Sequence, residues 1–311
     1  MATNDSRLRV TELDFDNIKD NLKIFLKAQD KFKDYDFEGS GMNILLDTLA
    51  YNTHYMAFNA NMVANEMFLD SSSLRSSAVS HAKMLGYEVT SARAPKAVVN
   101  VQLTTSDATK TMVAGTAFST TVDGVNYQFV TISDKTSSNS GDVVTFDSTE
   151  IYEGTYVIGK TIVDTSNPDQ KFILTDPNAD TSTLTVKVQN STSDTTSTTY
   201  TKATDITQLN TSSTVYYLQE AERGRFEVYF GDGVVSKALT NGNIVILSYV
   251  VTNKGVANGV STFSAPTAID GATDIIVTTV SGAVGGAEAE SVDSIKLNAP
   301  LNYSAQGRAV T

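Results

Sequence analysis

The sequence predicts an α+β chain, with an N-terminal helical bundle segment followed by Thr-rich antiparallel β domains. Three observations carry this reading. Apolar residues recur at helical spacing as far as about residue 85. Near residue 92 the composition shifts to Thr, Val and Ser. Beyond that point, Asp-Gly and Asn-Gly dipeptides punctuate runs of β-branched and aromatic residues.

The first helix is read from Phe15, Ile18, Leu22, Phe25 and Leu26, with Asp14 or Asp16 as its cap. Lys19, Asp20, Lys23 and Lys27 occupy the opposite face, so one side must be covered by something. Phe32 stands where the same apolar face would continue. Residues 35–41 break the pattern with Gly39, Ser40 and Gly41. A second helix follows over residues 42–68. Its apolar side chains include Ile44, Leu45, Leu46, Leu49, Tyr51, Tyr55, Met56, Phe58, Met62, Val63, Met67 and Phe68, and they nearly encircle it. A helix apolar on most sides is buried on most sides, within a bundle or against a partner. Residues 70–73 offer caps for a third helix, which ends at Gly86 in the position where glycine stops helices.

Residues 91–96 read as a linker containing Pro95. Val98, Val99, Val101 and Leu103 form one strand. Asp123-Gly124 marks a hairpin between residues 118–122 and 127–130, and Asp232-Gly233 and Asn241-Gly242 are read as two more turns of that kind. Residues 244–251 are continuously apolar and suit a central strand. The polar stretches 134–148 and 190–201 read as exposed loops around a middle module. The expected organisation is therefore 1–92 helical assembly domain, 93–148 first part of a β domain, 149–215 middle β-module inserted into it, 216–283 second part, and 284–311 a C-terminal piece. Residues 291–298 suit one or two helical turns.

The bulk numbers exclude several classes. With 311 residues the chain is long for a single core. A formal net charge of -12 does not gather phosphates, so neither nucleic acid nor an anionic membrane surface is an expected partner. The same charge keeps unassembled copies apart in solution. No cysteine is present, which removes disulfides, Cys-ligated zinc and thiol catalysis. Residues 1–10 carry no apolar signal region, and no apolar run is long enough for a membrane helix.

Catalysis needs several groups to converge. His54 and His81 stand 27 residues apart in predicted helices, without zinc-ligand spacing, and read as hydrogen-bonded helix histidines. Asp164, Asp169, Asp176 and Asp180 share a loop-rich stretch; a calcium site is conceivable there, but the EF-hand pattern is absent and turn chemistry explains them. Gly282, Gly285 and Gly286 lack the Lys-Ser/Thr of a phosphate loop and read as a flexible connector. No catalytic residue, cofactor or metal is expected, and the chain is not read as an enzyme. Tyr152, Tyr156, Tyr216 and Tyr217 are the candidates for an alternative, a glycan-binding or adhesin module built on the Thr-rich β-body.

Two C-terminal stretches carry a resemblance. One runs from Phe230-Gly231-Asp232-Gly233 through Leu239-Thr240-Asn241-Gly242-Asn243 to Asn253-Lys254-Gly255-Val256-Ala257-Asn258-Gly259. The other runs from Gly285-Gly286-Ala287-Glu288 through Ala299-Pro300 to Gln306-Gly307-Arg308-Ala309. Together they resemble the baseplate J-like family of contractile-tailed phages. Phe15-Asp16-Asn17-Ile18-Lys19, Tyr35-Asp36-Phe37-Glu38-Gly39, Leu49-Ala50-Tyr51-Asn52-Thr53-His54-Tyr55, Asn65-Glu66-Met67-Phe68 and Ser80-His81-Ala82-Lys83 are similar to the large wedge subunits of T-even-like myoviruses within it. The resemblance implies a structural subunit of a contractile tail baseplate, made in the host cytoplasm and placed in the virion. It implies pairing with a second copy within a wedge, a helical bundle shared with other wedge proteins, and neighbouring wedges in a six-fold ring around the hub. Family members continue past the motif ending at Thr311, so 284–311 is expected to begin a truncated C-terminal α/β region. The expected assembly residues are Phe15, Ile18, Leu22, Phe25, Leu45, Leu49, Tyr51, Tyr55, Met56, Met62 and Phe68. The motif turns are Gly231, Asp232, Gly233, Asn241 and Gly242.

Overall fold

The structure, a computed structural model, describes residues 14–27, 40–167, 170–204 and 206–305. Phe32, the break at residues 35–39, Asp169 and the motif at residues 306–311 lie outside the described residues. The chain divides into two units, one of residues up to Tyr87 together with Val292 onward, the other Glu88–Ser291. The fold is mixed α+β, with helices in the first unit and mostly antiparallel sheets in the second.

In the helical unit, α1 (Phe15–Lys27) packs on α2 (Gly41–Glu66), and α3 (Arg75–Met84) packs on α4 (Val292–Ala305). Ser40 caps α2, its hydroxyl accepting from Asn43 N at 3.1 Å. The contact stripe of α2 is narrow: Asn43, Leu46 and Ala50 are its buried residues. Ile18 is the buried residue of α1. Ala78, Val79 and Ala82 of α3 and Ile295 and Ala299 of α4 are buried small or branched side chains that let those helices approach closely. Gly86 ends α3 as expected. At φ +73 it lets Tyr87 N reach Ala82 O at 2.9 Å and Gly86 N reach Lys83 O at 3.0 Å.

Two helical expectations need correction. The α3 cap does not come from residues 70–73. Position 74 is a leucine without a capping side chain, and Glu66, at the end of α2, supplies the acceptor instead. The C-terminal helix is also longer than one or two turns. It runs for 14 residues with Pro300 inside, because burial of Ile295 and Ala299 outweighs the disfavour of proline.

In the β unit the strands are β1 (Lys96–Thr104), β2 (Thr109–Met112), β3 (Ala117–Val122), β4 (Val125–Val130), β5 (Lys135–Ser138), β6 (Val143–Glu153), β7 (Thr155–Ile162), β8 (Phe172–Ile173), β9 (Ala179–Gln189), β10 (Ser197–Lys202), β11 (Val215–Glu220), β12 (Phe226–Phe230), β13 (Ile244–Val251) and β14 (Ile275–Val284). A five-stranded sheet has the order β14-β1-β6-β4-β3. A seven-stranded sheet has the order β7-β13-β9-β10-β11-β12-β8, and β2 pairs with β5. The β10–β11 pair is parallel.

Alternation builds the first core. Ala97, Val99, Val101 and Leu103 of β1 are buried and pack with Met112, Phe118, Phe129, Phe146 and Ile151. Asp123 and Gly124 both have positive φ, 50° and 82°, as a two-residue hairpin turn requires, and Val122 faces Val125 across it. β13 lies between β7 and β9, as a continuously apolar strand should.

Elsewhere the strand partners differ from expectation. Asp232-Gly233 and Asn241-Gly242 are turns but not hairpins. β12 pairs with β11 and β8, whereas β13 pairs with β7 and β9. A turn dipeptide reverses the chain locally; burial then chooses the partner. The polar stretches are not wholly loops either, since β5 and β10 lie within them. Thr and Ser can occupy half-exposed strands whose ladders satisfy the backbone. The seven-stranded sheet is built from residues 155–251, between β6 and β14. It is therefore wider than the 149–215 bounds drawn from those polar stretches.

Candidate assembly surface

α2 has few apolar neighbours in its own unit and many apolar side chains. Leu45, Leu49, Tyr51, Tyr55, Met56 and Met62 are all exposed, as are Phe25 of α1 and Phe68 just past α2; Met56 and Phe25 each expose 64% of their area. Phe15 and Leu22 are half-buried. Ile18 is instead 7% exposed. It is spent inside the unit, because the α1 face it belongs to is the one laid on α2. The surface also takes in Ile24, Ile44, Phe58, Val63 and Met67, together with Leu74, Met84, Leu297, Leu301 and Tyr303. The i, i+4 pair Leu297 and Leu301 was legible once that segment was known to be helical throughout.

The pattern follows from helix geometry. Residues 43, 46, 50, 54, 57, 61 and 64 fall on one stripe, and every one of them is buried or half-buried. The exposed apolar residues flank that stripe on both sides. Soluble proteins seldom expose apolar surface this extensive on neighbouring helices. Burying one such side chain fully contributes about 1.5–3 kcal/mol.

The ends of α2 and α3 are tied firmly. Glu66 accepts from Ser73 N and Ser73 Oγ, each at 2.8 Å, and from Leu74 N at 3.2 Å. Desolvation alone would raise its pKa. The hydrogen bonds from Ser73 N, the Ser77 and Ser73 side chains and Leu74 N outweigh it and bring the carboxyl down from 4.5 to about 2. His81 Nε2 donates to Glu66 O at 2.9 Å, so this histidine is structural, as expected. His54 is half-buried on the same stripe of α2 as Leu46 and Ala50.

The motif turns are backbone devices. A Cβ on Gly231 would stand 2.0 Å from Ser236 Oγ and 2.7 Å from Ser236 O, so only glycine allows that approach. Asp232 Oδ1 accepts from Val234 N at 2.9 Å, and hydrogen bonds from Val234 N and Val235 N hold its carboxyl below the usual range. Gly233 N donates to Ser236 O at 3.0 Å. Asn241 Oδ1 accepts from Thr165 N, and Gly242, at φ +83, donates to Val163 O.

Two further clamps had no signal in the sequence. Glu153, fully buried, accepts from Thr252 Oγ1 at 2.7 Å, Asn253 N at 2.9 Å and Asn253 Nδ2 at 2.7 Å. Asn258 exchanges both its amide bonds with Gly286, Nδ2 to O at 2.8 Å and N to Oδ1 at 2.9 Å. Gly286 is therefore no flexible connector: a Cβ there would come within 2.5 Å of Pro95. The clamp brings the two motif stretches together.

Candidate chemistry does not converge. Asp164, Asp176 and Asp180 each accept the amide two residues on, from Ser166, Asn178 and Ser182, which is turn chemistry. Among the described residues no three His, Cys, Asp or Glu side chains group as metal ligands. A cavity of about 470 Å³ in the β unit is lined by Glu88, Arg93, Asp180, Lys202 and Tyr216 among others. Its charges are largely matched internally, with Lys202 Nζ 2.6 Å from Glu88 Oε1 and Asp180 Oδ2 accepting from Ala94 N. The four tyrosines do not share an exposed platform. Tyr216 is buried, Tyr152 and Tyr156 pack against Val130 and Val250, and Tyr217 stacks on Tyr229 with centroids 5.2 Å apart.

Comparison with known proteins separates the readings. The family model described as "Baseplate wedge protein gp6-like, helical domain" matches residues 14–87, and that described as "Bacteriophage baseplate wedge protein gp6, third domain" matches residues 157–260. The chain carries both of these gp6-like baseplate wedge regions. Baseplate wedge protein gp6 of Enterobacteria phage T4 is 30% identical over 329 aligned positions, covering 96% of this chain and 48% of that protein. The chain thus spans about half the length of this relative. A chain in the anti-feeding prophage baseplate structure covers 94% of this one and 53% of its own length, at 13% identity and a TM-score of 0.30, which is too low to bear on the fold. The helical match coincides with the exposed α1 and α2 surface. The third-domain match covers β7 to β13 and the Gly231 and Asn241 turns.

Proposed function

We propose that this gp6-like chain is a structural subunit of a contractile phage tail baseplate wedge. It forms part of the inner ring around the hub and couples host attachment to sheath contraction. It acts by packing and not by catalysis, and its place is the virion tail, after assembly in the host cytoplasm. The observation that carries this is the apolar surface of α2 inside the gp6-like helical match, exposed on both sides of the stripe that faces α1. Its occupants are a second copy of the chain and helices of other wedge proteins, with neighbouring wedges closing a six-fold ring.

Light scattering after size-exclusion chromatography, on the chain alone and mixed with candidate wedge proteins, tests the proposal. Self-association and co-elution are expected, and Leu49→Asp and Met56→Asp should abolish both. Each places a carboxylate on the surface, and removing one unpaired charge from water on assembly costs several kcal/mol. Because both positions are exposed in the single chain, neither change should lower its own stability by more than about 0.5 kcal/mol. Assembly that survives both substitutions would sink the assignment.

A further inference from the structure

The exposed surface of α2 resolves into two seams of different chemistry. Ile44, Thr48, Tyr51, Tyr55, Phe58 and Met62 form one. Leu45, Leu49, Asn52, Met56, Asn59 and Val63 form the other. In each, the spacing alternates four and three, the repeat of a coiled-coil seam. All twelve residues are exposed. Between residues 41 and 65 the only Asp, Glu, Lys or Arg is Asp47, which pairs with Lys19 of α1, and His54 lies outside both seams. Neither seam can therefore choose its partner by charge. The choice must come from shape and from the polar positions within the seams.

Asn52 and Asn59 are those positions in the second seam. They lie one heptad apart, each at the second apolar position of the repeat. An amide carries both donors and an acceptor, so asparagine satisfies asparagine. In a parallel, in-register pair of α2 helices, Asn52 meets Asn52 and Asn59 meets Asn59. An antiparallel pair sets each against the other type of seam position, Leu49, Met56 or Val63, and strands all the amides. A parallel pair slipped by one heptad matches Asn52 to Asn59 once and strands the remaining two. Stranded amides are costly, whereas aliphatic layers tolerate any of these arrangements. Polar residues in such a seam set register and strand number at some expense of stability.

We propose that the Leu45-to-Val63 seam pairs with the same seam of a second copy, parallel and in register, and that Asn52 and Asn59 determine that register. The aromatic seam holds no amide layer and takes no part in this pairing. This inference rests on the self-association proposed above.

The cysteine-free chain makes the test direct. Single substitutions Asn52→Cys and Asn59→Cys are made in the full chain, with Thr53→Cys, exposed and off both seams, as the control. Mild oxidation should convert most of either variant to a covalent dimer of twice the 33.3 kDa chain mass and leave Thr53→Cys monomeric on a denaturing gel. A mixture of Asn52→Cys and Met56→Cys chains should give no mixed dimer above the level of random collision. Light scattering on the reduced proteins separates the failures. A chain that remains monomeric overturns the self-association and this inference together. A chain that dimerises but cross-links through Tyr55→Cys, or through the mixed Asn52→Cys and Met56→Cys pair, overturns this inference alone.

Discussion

Replacing Glu66 should weaken the helical unit in a way that depends on pH. Its carboxylate collects Ser73 N, Ser73 Oγ and Leu74 N just ahead of the first turn of α3, a helix with no side-chain cap of its own. Losing an N-cap typically costs about 1 kcal/mol, and hydrogen bonds to a charged acceptor reach about 1.5–3 kcal/mol. Glu66 is half-buried, so solvent screens part of this. The expected loss for Glu66→Ala at pH 7 is about 1–2 kcal/mol. Glu66→Gln keeps one acceptor oxygen and should recover about half of it. The folded carboxyl titrates near 2 and the unfolded one near 4.5. A depressed folded pKa contributes stability above the unfolded value, and that contribution fades as pH falls through the folded one. The gap between parent and Glu66→Ala should therefore be full above pH 5 and shrink between pH 4.5 and 2. Urea unfolding followed by helical circular dichroism measures it. A gap under about 0.3 kcal/mol at pH 7, or one that stays constant down to pH 2, would refute the capping role.

Three other outcomes follow from the β unit and the assembly surface. Glu153→Gln puts an amide N–H against donors from Thr252 and Asn253 and should cost about 2–3 kcal/mol in urea unfolding; a change within 0.5 kcal/mol would mean that the buried carboxylate is not what holds residues 252–253. Gly231→Ala pushes a methyl into Ser236 and should cost about 2–4 kcal/mol, whereas Gly124→Ala meets no atom within 4 Å and should show only backbone strain of about 1–2 kcal/mol. Phe129→Ala opens the core beside Phe118 and Phe263 and should cost about 3–5 kcal/mol without altering self-association, since that surface belongs to the helical unit. Self-association lost together with stability in this last variant would argue that the β unit contributes to the contact.

How much was legible depended on the range of the interaction. Helical spacing, Gly86 and the Asp123-Gly124 hairpin are local matters of backbone geometry, and the structure places each where spacing put it. The apolar excess of α2 was equally plain. Whether α1 and α4 could cover it was not, because that depends on how much surface a unit of this size can fold over one helix. Ile18 shows the difference. By pattern it belonged with Phe25 on an assembly face, and only packing separated the buried residue from the exposed one.

The sequence by itself determined the class, the helical segment, the acidic character and the absence of thiol chemistry, because each is a property of composition or of contacts a few residues long. Tertiary structure alone decided the strand partners of β12 and β13, the cap donated by Glu66 across a turn, and the clamp between Asn258 and Gly286. Those pairings join residues from seven to seventy or more positions apart in the chain. Backbone propensity carries no information about them; they are settled by which arrangement buries apolar surface while leaving every buried donor and acceptor matched.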